Sequence, residues 1–150
     1  MKSSLKKVTK VVRGKHGTVR RSYYMKADTP VGSAGDFLKR HAGTYTKMNL
    51  RTGVVAGTAG YLGAYHAHKT GGDMAKQWLV GHFGGMGATS VYNIHQAMHD
   101  ARARAMAEDY HRLTRWQKTK VDLVGAGIIL AGTAGSTAAL HAGRKRLERR

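Results

Sequence analysis

Leu123–Gly143 reads LVGAGIILAGTAGSTAALHAG, a run without a formal charge, preceded by Asp122 and followed by Arg144, Lys145 and Arg146. At about 1.5 Å per residue a helix of this length could cross a bilayer. Ala131, Gly135, Ala139 and Gly143 recur every fourth residue. Such a stripe would let a second helix approach to backbone contact. The remainder of the chain reads as a means of presenting, duplicating or anchoring a helix of this kind.

A related stretch lies upstream. Gly53–Lys69 (GVVAGTAGYLGAYHAHK) aligns without gaps on Ile128–Arg144 (IILAGTAGSTAALHAGR), 75 positions later, sharing Ala-Gly-Thr-Ala-Gly at 56–60 and 131–135. Ala64, His66 and Ala67 match Ala139, His141 and Ala142. Gly/Ala-rich helices resemble one another cheaply, so the similarity alone does not distinguish duplication from shared composition. Both helices nevertheless need the same small-residue face. The expected packing positions are Gly53, Gly57, Gly60, Ala64, Gly81, Gly85, Ala131, Gly135 and Ala139, and Gly57→Leu or Gly135→Leu is expected to break assembly.

The 150 residues suit one folding unit with a real core. Large core-filling side chains are scarce, with two Phe and two Trp against 20 Gly. Close packing through small residues fits that composition better than a bulky core. The balance of 26 Lys/Arg against 8 Asp/Glu gives +18. Such a charge opposes compaction of an isolated monomer and draws the chain to polyanions. Nucleic acid, anionic lipid and acidic protein surfaces all qualify. Cysteine is absent, which excludes disulfides, thiol nucleophiles and thiolate metal sites. The first 50 residues hold no apolar run of about 7–15 residues, so no secretory signal peptide is expected.

Two regions are expected: a basic hairpin with a short helix over 1–45, and a helical Gly/Ala-rich region with a basic tail over 46–150. Lys6–Arg13 and Thr18–Lys26, rich in Val, Thr and Tyr, flank Gly14-Lys15-His16-Gly17 and read as a β-hairpin. An isolated two-stranded hairpin is marginal in water, so it should seek a partner edge or the protein body. Its tyrosines suit either packing on the chain's own helices or stacking beside phosphate contacts. Ser33 and Asp36 form a capping-box pattern for a short helix ending at Gly43. Thr46 would cap a helix through Lys69, and Asp73 the next, with Gly81, Gly84, Gly85 and Gly87 at its centre. Those four glycines imply either a partner backbone or a bend. Residues 98–120 read as one amphipathic helix with the stripe Ala103, Met106, Tyr110 and Leu113, and Trp116 at its edge. The last helix would run from Asp122 into the tail.

The chain offers no catalytic pattern. His95 and His99 have the spacing of a two-ligand helix site, but Gln96, Ala97 and Met98 between them supply no general-base glutamate. Neither a G-x-S-x-G elbow nor a Walker Lys-Ser/Thr ending is present. The chain is expected not to be an enzyme and to use no metal or cofactor. The expected polyanion contacts are Lys6, Lys7, Lys10, Arg13, Lys15, Arg20, Arg21 and Lys26 on the hairpin, with Arg144, Lys145, Arg146, Arg149 and Arg150 on the tail.

Uncharged stretches at 52–68, 77–99 and 123–143 approach spanning length, but only the third is rich enough in Leu and Ile to insert by itself. In size, basicity and Gly/Ala-rich helices such as Gly53–Lys69 and Leu123–Gly143, the chain resembles small bacteriophage virion proteins of the internal or ejection type. That resemblance implies a non-enzymatic oligomer in the virion, able to reach the host membrane. Its expected partners are copies of itself, other virion or assembly proteins, nucleic acid without sequence preference, and lipid. A holin-type membrane pore is the alternative implied by short spans and the basic tail, though the long N-terminal hairpin departs from that pattern. A soluble non-specific nucleic-acid-binding protein is the second alternative. The expected fold is mainly α, with an N-terminal β-hairpin and closely packed helices capable of membrane insertion.

Overall fold

Ser33 opens the helical body. In the computed structural model, which describes residues 32–149 and the backbone of residues 5–14 and 17–26, the Ser33 hydroxyl oxygen accepts the Asp36 amide at 3.1 Å. The same hydroxyl donates to the Asp36 carboxylate at 2.8 Å. The helix that follows, α1, runs without interruption over Ala34–Thr70. The expected stop at Gly43 and restart at Thr46 do not occur, and position 45/46 lies inside the helix. A single glycine costs a helix only about 1 kcal/mol, and packing on both sides of residue 43 outweighs it. Gly71, in the left-handed conformation at φ 72°, ends α1.

Asp73 caps α2, Met74–His99, by accepting the Lys76 amide. Asp100 ends α2 and caps α3, Ala101–Arg112, through the Arg102 amide at 2.8 Å. The amphipathic segment is therefore not one helix to residue 120. Leu113 turns extended and is buried, and Thr114 with Gln117 forms a reciprocal capping box that starts α4, Arg115–Leu147. The T-x-x-Q signal at 114–117 is in the sequence and is the reason the last helix begins seven residues before Asp122. Extended backbone is traced at Leu5–Gly14 and Gly17–Lys26. The side chains of residues 1–31 lie outside the described residues, and so does the assignment of Lys6 to Lys26 to a binding face.

α1 is the shared partner of the other helices. α2 packs antiparallel on one of its faces and α4 parallel on another, while α2 and α4 pack on α1 rather than on each other. The antiparallel sense follows from Gly63 meeting Gln77 and Ala56 meeting Gly85. The parallel sense follows from Tyr45 meeting Val121 and Gly53 meeting Ile129. One end is closed by a conventional core of Phe37, Met106, Leu113 and Val121, with Tyr45, Met48 and Tyr110 packed around it. Phe37 is wholly buried and meets Tyr45 and Tyr110 edge-on. Phe37→Ala should cost about 3–5 kcal/mol. Urea unfolding followed by circular dichroism is expected to show that loss without any loss of helix in the folded baseline.

Candidate helix-packing site and cationic cleft

The centre of α1 carries small residues on two faces because two helices need to reach its backbone. Towards α4, a Cβ added at Gly57 would fall 2.8 Å from the Thr133 Cα. One added at Gly53 would fall under 3 Å from the Ile129 carbonyl carbon. Gly132 returns the contact, lying against the Leu50 carbonyl and the Val54 amide. The Thr133 hydroxyl donates to the Gly53 carbonyl at 3.1 Å, a buried hydrogen bond between helices. Side chains of any size at 53, 57 or 132 would push the helices apart.

Towards α2, Ala56 meets Gly85, with an added Cβ only 2.8 Å from the Ala56 Cα. The Ala59 carbonyl lies against Gly81, and Gly60 seats the Trp78 indole. Trp78 in turn stacks on His82 with ring centroids 4.6 Å apart. The glycine cluster of α2 is thus divided between its two faces. Gly81 and Gly85 carry the α1 contact, whereas Gly84 and Gly87 have open space where a Cβ would be.

Within one chain the expected stripe on α4 does not face α1. Ala131, Gly135, Ala139 and Gly143 are exposed, and neither Gly135 nor Gly143 meets anything. The face that packs on α1 is offset, with Val121, Gly125, Gly132 and Thr133 buried and Ser136 at its edge. The i,i+4 spacing of the exposed residues is real; the helix is simply rotated so that a neighbouring stripe faces inward. Periodicity identifies stripes on a helix, and here two lie side by side. Ala64 lines a cleft of about 300 Å³ with Tyr61, Tyr65, His68, Met74, His141 and Arg144.

The basic residues form a second feature. On the tail, Arg144 pairs with Glu148 at 2.6 Å and lies 4.8 Å from the Tyr65 ring centroid. Its hydrogen bond to Glu148 holds its guanidinium above the ordinary arginine range, and the same contact holds the Glu148 carboxyl down. Lys145, Arg146 and Arg149 are exposed, and Arg150 lies outside the described residues. A cleft of about 390 Å³ between α1 and the α2–α3 corner is lined by Arg40, Lys47 and Arg102, together with His41, Thr44, Gln96 and Asp100. Sequence reading did not select these cations. Arg40 and Lys47 are seven apart on α1 and could have been paired by helical spacing, but Arg102 joins them only through the tertiary turn at Asp100.

Below this cleft Asp109 binds His41 at 2.9 Å and Arg40 at 3.1 Å. Burial pushes its carboxyl up, but the hydrogen bonds from His41 and Arg40 prevail and hold it below the usual range. Tyr110 shows the opposite case. Burial, and its hydrogen bond to Asp122 at 2.7 Å, push its hydroxyl up to about 12. The rings of His95 and His99 lie 4.4 Å apart, yet among the described residues no group of three His, Cys, Asp or Glu side chains converges.

Three outcomes follow from these geometries. In thermal melts, Gly57→Leu and Gly85→Leu should lose cooperative unfolding, whereas Gly135→Leu should melt at or slightly above the wild-type temperature, since an exposed helix glycine costs about 0.5–1 kcal/mol. Asp109→Asn should destabilise by on the order of 2 kcal/mol at neutral pH. Because the folded pKa of Asp109 is lowered, that difference is fully present above its unfolded value near 4 and vanishes as acid protonates the folded carboxyl. For Tyr110 the folded pKa is raised, so its contribution is present below pH 10 and is lost on titration towards about 12. Tyr110→Phe should flatten that alkaline limb in a stability–pH series.

No family model, curated protein or solved structure matches the chain.

Proposed function

We propose that this protein is a non-enzymatic, oligomeric structural component, of the internal or ejection type found in phage virions. In this reading its basic termini hold nucleic acid or an acidic partner, and its glycine-striped helices build the assembly. The observation that carries the reading is the combination of +18 with uncovered, uncharged faces on both outer helices. Phe83 is 63% exposed, Val91 69% and Leu130 67%. A monodisperse basic protein in water gains nothing from such faces, whereas a component that packs laterally does. The N-terminal hairpin belongs to this proposal, with Lys10, Arg13, Lys15, Arg20 and Arg21 as its main phosphate contacts, joined by the tail residues Arg144 to Arg150. The cleft of Arg40, Lys47 and Arg102 adds cations on the helical body.

A holin-type reading is favoured by one specific observation. α4 is long and apolar enough to cross a membrane, with a mean hydropathy of 1.7 in its best window, of which only 17% is buried against the rest of the chain. Flotation with vesicles separates the two. An assembly component with a polycationic surface should float with anionic vesicles only and be released by salt or carbonate. Carbonate-resistant association with neutral and anionic vesicles alike would overturn it in favour of insertion. On duplex DNA, log K should fall linearly with log salt, with a slope of about −0.9 for each phosphate neutralised. Replacing Lys10, Arg13, Arg20 and Arg21 together by Gln should make that slope shallower by about 3 to 4. An unchanged slope would remove the hairpin from the interface.

A further inference from the structure

The gap-free alignment of α1 on α4 points to an occupant for the open face of α4. On α1 the residues that receive α2 are Thr52, Ala56, Ala59, Gly60 and Gly63. Moved by the offset of 75, Ala56, Ala59, Gly60 and Gly63 become Ala131, Ala134, Gly135 and Ala138 of α4, and Thr52, one residue before the aligned stretch, becomes Gly127. All five are small and exposed, and Gly127 and Gly135 have open space where a Cβ would be. One chain thus holds two versions of the same docking face. One is filled by a glycine-bearing helix and the other is bare.

The remaining surface of α2 limits the occupant. α2 already uses Gly81 and Gly85 against its own α1, but its opposite face presents a second glycine pair, Gly84 and Gly87, among exposed Val80, Phe83, Val91 and Ile94. That face is uncharged, as is the bare face of α4. In a chain of +18, such surfaces are places where two copies can approach without bringing cations together. α2 and α4 are also the two outer helices of the body, each packed on α1 and not on the other. Docking α2 of one copy on α4 of the next would extend the α2–α1–α4 packing by repeating the small-residue contact already made between α1 and α2.

We propose that the Gly127–Ala131–Gly135–Ala138 face of α4 receives the Gly84–Gly87 face of α2 from a second copy of this chain. The contact is heterologous, so it propagates into a ring or a filament rather than stopping at a two-fold dimer. It deepens the oligomer reading above by naming the partner and both surfaces. Because these positions are open within one copy, substituting them leaves the fold intact.

The chain has no cysteine, which makes single-cysteine cross-linking direct. Full-length Gly87→Cys and Ala131→Cys proteins, each treated with a short bismaleimide alone and then mixed, should give a cross-linked pair only in the mixture. Gly135→Leu and Gly84→Leu should each lower the sedimenting mass by at least half with an unchanged far-ultraviolet spectrum and no fall in melting temperature. Cross-linking of Ala131→Cys with itself would overturn the proposal in favour of a two-fold contact. An oligomer that persists in both Leu variants without mixed cross-links would overturn this interface while leaving assembly standing through other surfaces. A wild-type chain that sediments as a monomer at every concentration would remove the interface and the oligomer reading together.

Discussion

The structure depends on how closely other backbones can approach the middle of α1. At Gly53 and Gly57 on one side and at Ala56, Ala59 and Gly60 on the other, neighbouring helices or the Trp78 indole occupy the volume where larger side chains would sit. Dispersion contacts between backbones replace the interlocking of large side chains. This explains how a chain with two Phe and two Trp holds three long helices together. It also explains the division of labour along the body. Phe37, Met106, Leu113 and Val121 close one end as an ordinary core, and beyond it the helices rest on small residues and on the interhelical hydrogen bond from Thr133 to Gly53.

Charge and apolar surface are kept apart in this arrangement. Arg40, Lys47 and Arg102 meet at the α1 and α2–α3 corner near the closed end, and Arg144 to Arg149 lie at the other end of α4. Between them the outward faces of α2 and α4 are uncharged. Among the described residues Asp109 is the buried carboxylate, and hydrogen bonds from His41 and Arg40 hold its pKa below the usual carboxylate range despite its burial. Its role is to tie α3 to α1 so that the cationic corner has a fixed shape.

Much of the helical body was legible locally. Ser33, Asp73 and the Gly71 stop mark helix ends by capping chemistry that acts within a few residues, and Ala103 and Met106 lie on the buried stripe that their spacing indicates. What was not legible had tertiary causes. Gly43 looks like a terminator until Phe37 and Tyr45 are seen to be held on either side of it in one core. Leu113 looks like a fourth member of a helical stripe, and it is buried as expected, but from an extended residue between two helices. The choice between the Gly125–Gly132 stripe and the Ala131–Gly135 stripe on α4 could not be read from spacing, because both have helical period and small residues. Only the partner helix decides which faces inward. The cationic cleft was hidden for the same reason, since Arg102 is remote from Arg40 and Lys47 until the chain turns at Asp100.

The central claim is that helix backbones, not large side chains, meet at the middle of α1. Nuclear Overhauser effects between α-protons test it most directly, since they are seen between helices only when backbones are in contact. The account predicts cross-peaks between Gly53 and Gly132 and between Ala56 and Gly85, and none within one copy from Gly135 to α1. Cross-peaks to α1 from Gly135 in place of Gly132, or formed helices with no interhelical α-proton contacts, would contradict it.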